Sequence, residues 1–193
     1  MNRAGTLVFD IRSWWRIGSG RGLGGTLDDA VPRTAEGLPF IPGSAIKGLA
    51  REAVAELAGF GDAEAAAALG LLFGSPAPDA EPVSGAVRFG RYLTQPGQVH
   101  FAAAEMDGAW KDWVRGGAGT DIVAALFTER SMTAIDVGGG AKPQTLRTVQ
   151  VVAPMILRAA VRTGQDMDAA ALDTLARAAP LVRRFGLGRN RGF

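Results

Sequence analysis

An α+β fold with its elements in the order strand, helix, strand, strand, helix is predicted by three patterns in this sequence. Thr6 to Ile17 alternates, with Leu7, Phe9 and Ile11 on one face and Asp10 and Arg12 on the other, which is the period of a half-buried strand. Behind Ser44, the apolar residues Ile46, Leu49, Ala50, Ala53, Val54 and Leu57 recur at intervals of three and four, a helical stripe suited to packing on a sheet. Met155 to Arg162 alternates again, setting Leu157, Ala159 and Val161 against Arg158 and Arg162.

The intervening elements follow from local chemistry. Prolines in Pro39-Phe40-Ile41-Pro42 remove donors and steer their neighbours away from helix, so that stretch is irregular and Ser44 caps the helix after it. Gly59 and Gly61 end that helix. The alanine-rich run 63–73 reads as a second short helix, and SPAPDAEPVSG after it as a loop. Gly85 to Thr94 reads as a strand, with Val87, Phe89 and Leu93 opposed to Arg88 and Tyr92. Trp110 and Trp113 stand at helical spacing within 96–120, a segment closed by Gly116-Gly117. Thr128–Thr133 and Thr145–Ala153 flank a glycine-rich tip at 134–140 and predict a long hairpin. A helix begins at Asp166 or Asp168 and is expected to run to Gly186.

This order is ferredoxin-like. A βαββαβ core needs one more strand after Gly186, and the sequence ends at Phe193, so the last strand is expected to be missing and one sheet edge unpaired. With 193 residues and 47% hydrophobic content, a single domain with an inserted hairpin is expected. Trp14 and Trp15, as consecutive strand residues, are expected on opposite faces, in core and sheet-surface packing.

Composition narrows the function classes. No stretch approaches the roughly 18 consecutive apolar residues of a membrane span, and the first apolar run carries Asp10 and Arg12, unlike a secretory signal. Together with the lack of cysteine, this predicts a cytoplasmic protein with no membrane partner. A single histidine, His100, and no cysteine exclude the usual zinc sites, so any metal would rest on carboxylates. The formal net charge is only +2, but the last twenty residues hold five arginines and no acid. A phosphate-rich partner would meet that end.

The stretch from Arg16 to Arg51 holds eight glycines, and such a backbone can bring amide N–H groups close to phosphate oxygens. Gly20, Gly22 and Gly25 spell GxGxxG, but Thr26 to Asp29 and Pro32 follow where a dinucleotide fold would open a helix. A Walker loop fails too, for want of a Gly-Lys-Ser/Thr ending. Lys47 and Arg51 near the start of a helix oppose its dipole unless an anion lies between them and the amides at Ser44, which suits an RNA phosphate. Arg183, Arg184, Arg189 and Arg191, interleaved with glycine, suit a phosphate backbone.

Four segments together are similar to the RAMP superfamily of CRISPR-associated proteins, and within it to a backbone subunit of a type III RNA-guided effector. They are RIGSG at 16–20, LDDAVPR with GLPFIPGSAIKGLARE at 27–33 and 37–52, the AID with its glycine tip at 134–140, and FGLGRNRGF at 185–193. The resemblance implies an RNA-recognition-like core that binds guide RNA alongside other RAMP-type subunits and a paired target RNA, with the 128–153 hairpin as a thumb. It implies RNA contacts from Gly18, Ser19, Gly20, Arg21, Arg33, Ser44, Lys47, Arg51, Ile135, Asp136, Arg184, Arg189, Asn190 and Arg191. It further implies that an aspartate after the first strand cuts the target RNA with Mg²⁺ or another divalent metal. The family spacing of Asp, aliphatic and Arg falls on Asp28, Val31 and Arg33. Asp28 is therefore the expected catalytic and metal-binding residue, and Asp29 its rival. A non-catalytic guide-binding or capping subunit is the alternative. RNA cleavage by its own 2′-hydroxyl needs positioning and charge stabilisation more than a protein nucleophile, and no histidine lies in this loop. Val137 stands where the family often has Arg, and Gln150 where an acid is common.

Overall fold

In the computed structural model, which describes residues 4–18, 29–76, 94–117, 119–164, 167 and 169–186, strand β1 runs Ala4–Ile11. Leu7, Phe9 and Ile11 turn inward and Val8 and Asp10 outward, as the alternation predicts. The strand stops short of Ile17 because the chain leaves its ladder after Ile11, and Trp15 bridges to Val152 instead.

Helix α1 (Gly43–Gly59) buries Ile46, Ala50, Ala53 and Val54, the centre of the predicted stripe. It begins one residue early, so Ser44 lies inside the helix rather than capping it. Gly43 is fixed by space: a Cβ there would stand 2.1 Å from the carbonyl oxygen of Phe101, well inside contact distance. Helix α2 (Ala63–Phe73) matches its predicted span and is capped by Asp62, whose carboxylate accepts the Ala65 N–H at 2.9 Å.

Strands β2 (Gly74–Pro76) and β3 (Thr94–Pro96) form a short antiparallel ladder. The predicted strand at 85–94 lies outside the described residues apart from Thr94. Then follow β4 (Val99–Phe101), α3 (Gly108–Arg115) and α4 (Thr120–Ala125). After them come β5 (Phe127–Met132), β6 (Arg147–Val152), β7 (Met155–Thr163), α5 (Ala169–Ala178) and a 3₁₀ turn at Ala179–Leu181. Helix α5 ends well before Gly186, because Pro180 has no N–H to continue the ladder. Asp166 and Asp168 lie outside the described residues.

The main sheet has the order β1-β7-β4. β4 pairs antiparallel to β7, with Val99 opposite Thr163 and Phe101 opposite Val161. β7 buries Leu157, Ala159, Val161 and Thr163 and exposes the residues between them. The molecule is thus an α+β fold of antiparallel ladders in which β1, α1, β4, β7 and α5 keep the predicted order. β4, on the other side of β7 from β1, was not predicted: its three residues are too short to show a period and lie in 96–120, where the sequence offers only the helical spacing of Trp110 and Trp113 that α3 carries. Among the described residues no strand follows α5, and no helix is long and apolar enough to cross a membrane.

The chain divides into two compact units. In the first (residues 1–6, 43–102 and 160–183), α1, α2 and α5 pack on one another and α1 packs on β4. Ile46, Val54, Leu72, Phe73, Val99 and Leu175 form its core. The second (residues 7–42, 103–159 and 184–193) is built on Trp15, Val31, Leu38, Ile41, Val152 and Leu157.

Within the first unit one guanidinium ties two helices. Arg177 of α5 pairs with Asp62, with Glu64 at 2.9 Å and with Asp173 at 3.2 Å. The Ala65 N–H first, and then Arg177, hold the Asp62 carboxyl below its ordinary value of 3.8. A carboxyl lowered by folding stabilises fully above its unfolded pKa, and that contribution is lost as pH falls through 3.8 toward the folded value. The melting-temperature gap between the wild-type chain and Asp62→Asn should therefore be widest near neutrality and shrink below pH ~4. A gap constant from pH 6 to pH 3 would remove Asp62 from this role.

Candidate nucleic-acid interface

Strand β6 organises the second unit because both of its edges are occupied. One edge pairs with β5 from Arg147 opposite Met132 to Val152 opposite Phe127. On the other edge the N–H of Val152 donates to the Trp15 carbonyl at 2.7 Å, and the Trp15 N–H returns a bond to Val152 at 3.0 Å. Further along, the Gln150 N–H donates to the Asp29 carbonyl at 3.1 Å. The two ends of the predicted glycine-rich loop are thus held on one strand. The Trp15 indole N–H donates to the Ala153 carbonyl at 3.0 Å, and Gln150, itself buried, accepts the Val31 N–H at 3.4 Å.

An ion pair closes the same stem. Arg16 Nη2 donates to Asp29 Oδ2 at 2.9 Å, with the two side chains only 12% and 18% exposed. Arg16 Nε and Nη1 and Asp29 Oδ1 are buried and find no partner among the described residues. A carboxylate and a guanidinium held together there are mutually neutralised and remain short of hydrogen bonds. The C-terminal motif starts beside them: Phe185 packs on Trp15 at 5.8 Å between ring centroids. Gly186 has φ +88°, and a Cβ there would stand 2.2 Å from the Arg16 carbonyl oxygen, so glycine is required on both counts.

The residues expected to act on RNA divide accordingly. Gly18, Asp29, Arg33 and Arg184 belong to the second unit, as does the hairpin that carries Ile135 and Asp136. Asp28, Ser19, Gly20, Arg21, Arg189, Asn190 and Arg191 lie outside the described residues. Ser44, Lys47 and Arg51 belong to α1 in the first unit, with Ser44 and Arg51 exposed and Lys47 half-buried. Arg33 stacks on Phe127 with its guanidinium carbon 3.7 Å from the ring centroid. Burial lowers its pKa below the ordinary guanidinium value. Arg184 is exposed. Glu36 pairs with Arg115 at 2.6 Å.

The hairpin tip is built by Asp136. Its Oδ1 accepts the N–H groups of Gly138 at 2.8 Å and Gly140 at 3.0 Å, an Asx-type turn that fixes the glycines. Lys142 N–H donates to the Ala134 carbonyl at 2.8 Å, and Thr133 and Thr145 share a hydroxyl bond at 2.9 Å. Asp136 is therefore engaged in the turn. Ile135, at 71% exposed, and Val137 beside it are what the tip presents.

A divalent ion does not fit the described residues. Asp29 has one oxygen on Arg16, and among the described residues no group of three or more His, Cys, Asp or Glu stands close enough to hold a metal. Sequence reasoning missed Arg130, and it marked Arg16 and Gln150 without foreseeing the ion pair of one and the Val31 bond of the other. It also separated Trp14 from Trp15, yet both line one groove with Arg130, Met132, Val149 and Phe185. The separation relied on the pleat of a strand, and neither residue is in β1. The adjacent tryptophans were the available signal, and nothing in the sequence marks Arg130.

Comparison with known proteins agrees with this geometry. The family model described as the RAMP superfamily matches residues 9–193. Among solved structures, a cryo-EM structure of type III-B Cmr-beta bound to cognate target RNA is similar with a TM-score of 0.61 at 18% identity. That match covers 100% of this chain and 57% of the other, so this chain spans little more than half of that neighbour's length. A cryo-EM structure of type III-B Cmr-beta in the apo state gives a TM-score of 0.62 at 10% identity, covering 98% and 94%. At these identities the likeness is one of fold. No curated protein matches the chain.

Removing one partner of the stem pair should cost more than removing both. Asp29→Leu or Arg16→Met alone leaves a charge in a largely closed site, at about 3 kcal/mol by urea unfolding, whereas the double substitution should recover most of that loss. Strictly additive single losses would mean that the two side chains do not act as a pair.

Proposed function

The chain belongs to the RAMP superfamily, and from that premise we propose that it is an RNA-binding backbone subunit of a type III CRISPR effector that cleaves target RNA paired to the guide. The observation that carries this reading is the closed stem at β6. Trp15 and Asp29 both bond to β6, Arg16 and Asp29 pair with each other, and Phe185 and Gly186 pack against Trp15 and Arg16. In this reading the glycine- and arginine-rich motifs that adjoin these residues in the sequence serve one phosphate backbone. Guide RNA, target RNA and neighbouring RAMP-type subunits are the partners in this reading.

Cleavage is assigned to Asp28. Asp29 has its carboxylate on Arg16 and its carbonyl on β6, so it serves as a positioning residue for the loop. Asp28 is left as the acid that takes a proton or holds a divalent ion beside the scissile linkage. The engagement of Asp29 with Arg16, which takes one of the two adjacent carboxylates out of the chemistry, favours a second reading, a guide-binding or capping subunit that does not cut.

One experiment separates the two. In the assembled effector loaded with guide RNA, Asp28→Ala should keep assembly and target binding. It should lower cleavage opposite this subunit by at least about 100-fold, the scale of losing a positioned acid or base. Chelation by EDTA should abolish the same cuts. Cleavage that persists in Asp28→Ala removes Asp28 from the role, whereas a wild-type subunit that binds target RNA with no metal-dependent product opposite it leaves the non-cutting reading in its place. RNA that fails to copurify with the wild-type chain would sink both.

A further inference from the structure

We propose that the groove beside the hairpin root is a stacking slot for one unpaired nucleobase of an RNA strand, with Trp14 as its platform and Arg130 as its lip. The slot rests on the RNA-binding reading above and deepens it.

The groove is walled by Trp14, Met132 and Phe185 and floored by Val149 and Val151. Apart from the guanidinium groups of Arg16 and Arg130, its lining side chains are apolar. Trp14 is only half-buried although it is one of the largest apolar side chains, and Met132 beside it is 37% exposed. Arg130 stands over the Trp14 ring with its guanidinium carbon 5.9 Å from the centroid, at the outer limit of about 6 Å for a cation–π contact. A few residues away, Arg33 lies 3.7 Å from the Phe127 centroid, which is a completed stack. The Trp14 face is therefore covered loosely, by an exposed and flexible side chain that can swing to admit a planar guest.

Charge selects the guest. The two arginines are the charged groups that line the groove, and Asp29, the acid nearest to hand, is already paired with Arg16. An apolar aromatic wall with a free cation on its rim suits a ring attached to a phosphate, which is a nucleotide. Few polar groups are available to read a base edge, so the slot would accept any base. That suits a subunit whose guide changes sequence.

The test uses the full chain and single-stranded RNA carrying iodouridine. Photocrosslinks should map to Trp14 or Met132. Trp14→Ala should weaken RNA binding about 5- to 150-fold, the range of one base stack, while Trp14→Phe keeps most of the affinity. The salt dependence should not change in Trp14→Ala, because a stack releases no counterion, whereas Arg130→Gln should reduce the slope by about one. If Trp14→Ala does not fold, Met132→Asp at the exposed wall is the second probe and should weaken binding at an unchanged melting temperature. Wild-type affinity in these folded variants, or crosslinks confined to other residues, overturns the slot and leaves the RNA-binding reading intact. Crosslinks at Trp14 that join a neighbouring protein chain instead of a base also overturn it. A wild-type chain that binds no RNA removes slot and reading together.

Discussion

The pairing of Arg16 with Asp29 beside the edge of β6 opposite β5 is the constraint on which the second unit depends. A long glycine-rich loop is entropically expensive to hold in place, and closure of its ends is the cheapest restraint that can be applied. Here closure is threefold: Trp15 on Val152, Asp29 on Gln150 and the ion pair between the two ends. Ion pairs in such settings add little net stability, but separating them is costly. The pair therefore sets register more than it adds strength. Its three unpartnered buried atoms fit a site arranged for geometry at some expense in hydrogen bonding.

From that stem the hairpin gains a rigid base. Val149, Gln150, Val151 and Val152 are buried in succession, while β5 is exposed along most of its length. A strand buried on both faces and paired on both edges cannot follow the motion of its own tip. The tip in turn is held by Asp136 rather than by packing. The result is a protrusion that is stiff at its root and locally braced at its end, with Ile135 and Val137 bare.

The framework was legible in the sequence wherever an element is long enough to repeat. The stripe of α1, the span of α2 and the alternation of β7 follow directly from periods of 3.6 and 2. β4 was not legible, because three residues carry no period and its place is set by β7 alone. The over-long readings of β1 and α5 have separate causes. After Ile11 the chain turns to a strand far away in sequence, and Pro180 stops the helix. In the site, the glycine, arginine and aspartate motifs marked which segments matter. They did not mark Arg130 or show what Gln150 would hold, since these roles exist only because β5 and β6 bring the two residues to Trp14 and Val31.

The two adjacent aspartates show how one strand can divide labour. A carboxylate that must hold a loop closed cannot also leave its partner to accept a proton, because each departure would open the stem. Asp29 faces that conflict, with its side chain on Arg16 and its carbonyl on the Gln150 N–H. For a cleavage in which the RNA supplies its own nucleophile, most of the barrier reduction comes from orientation. The acid that stays put can therefore matter as much to the rate as the acid that reacts.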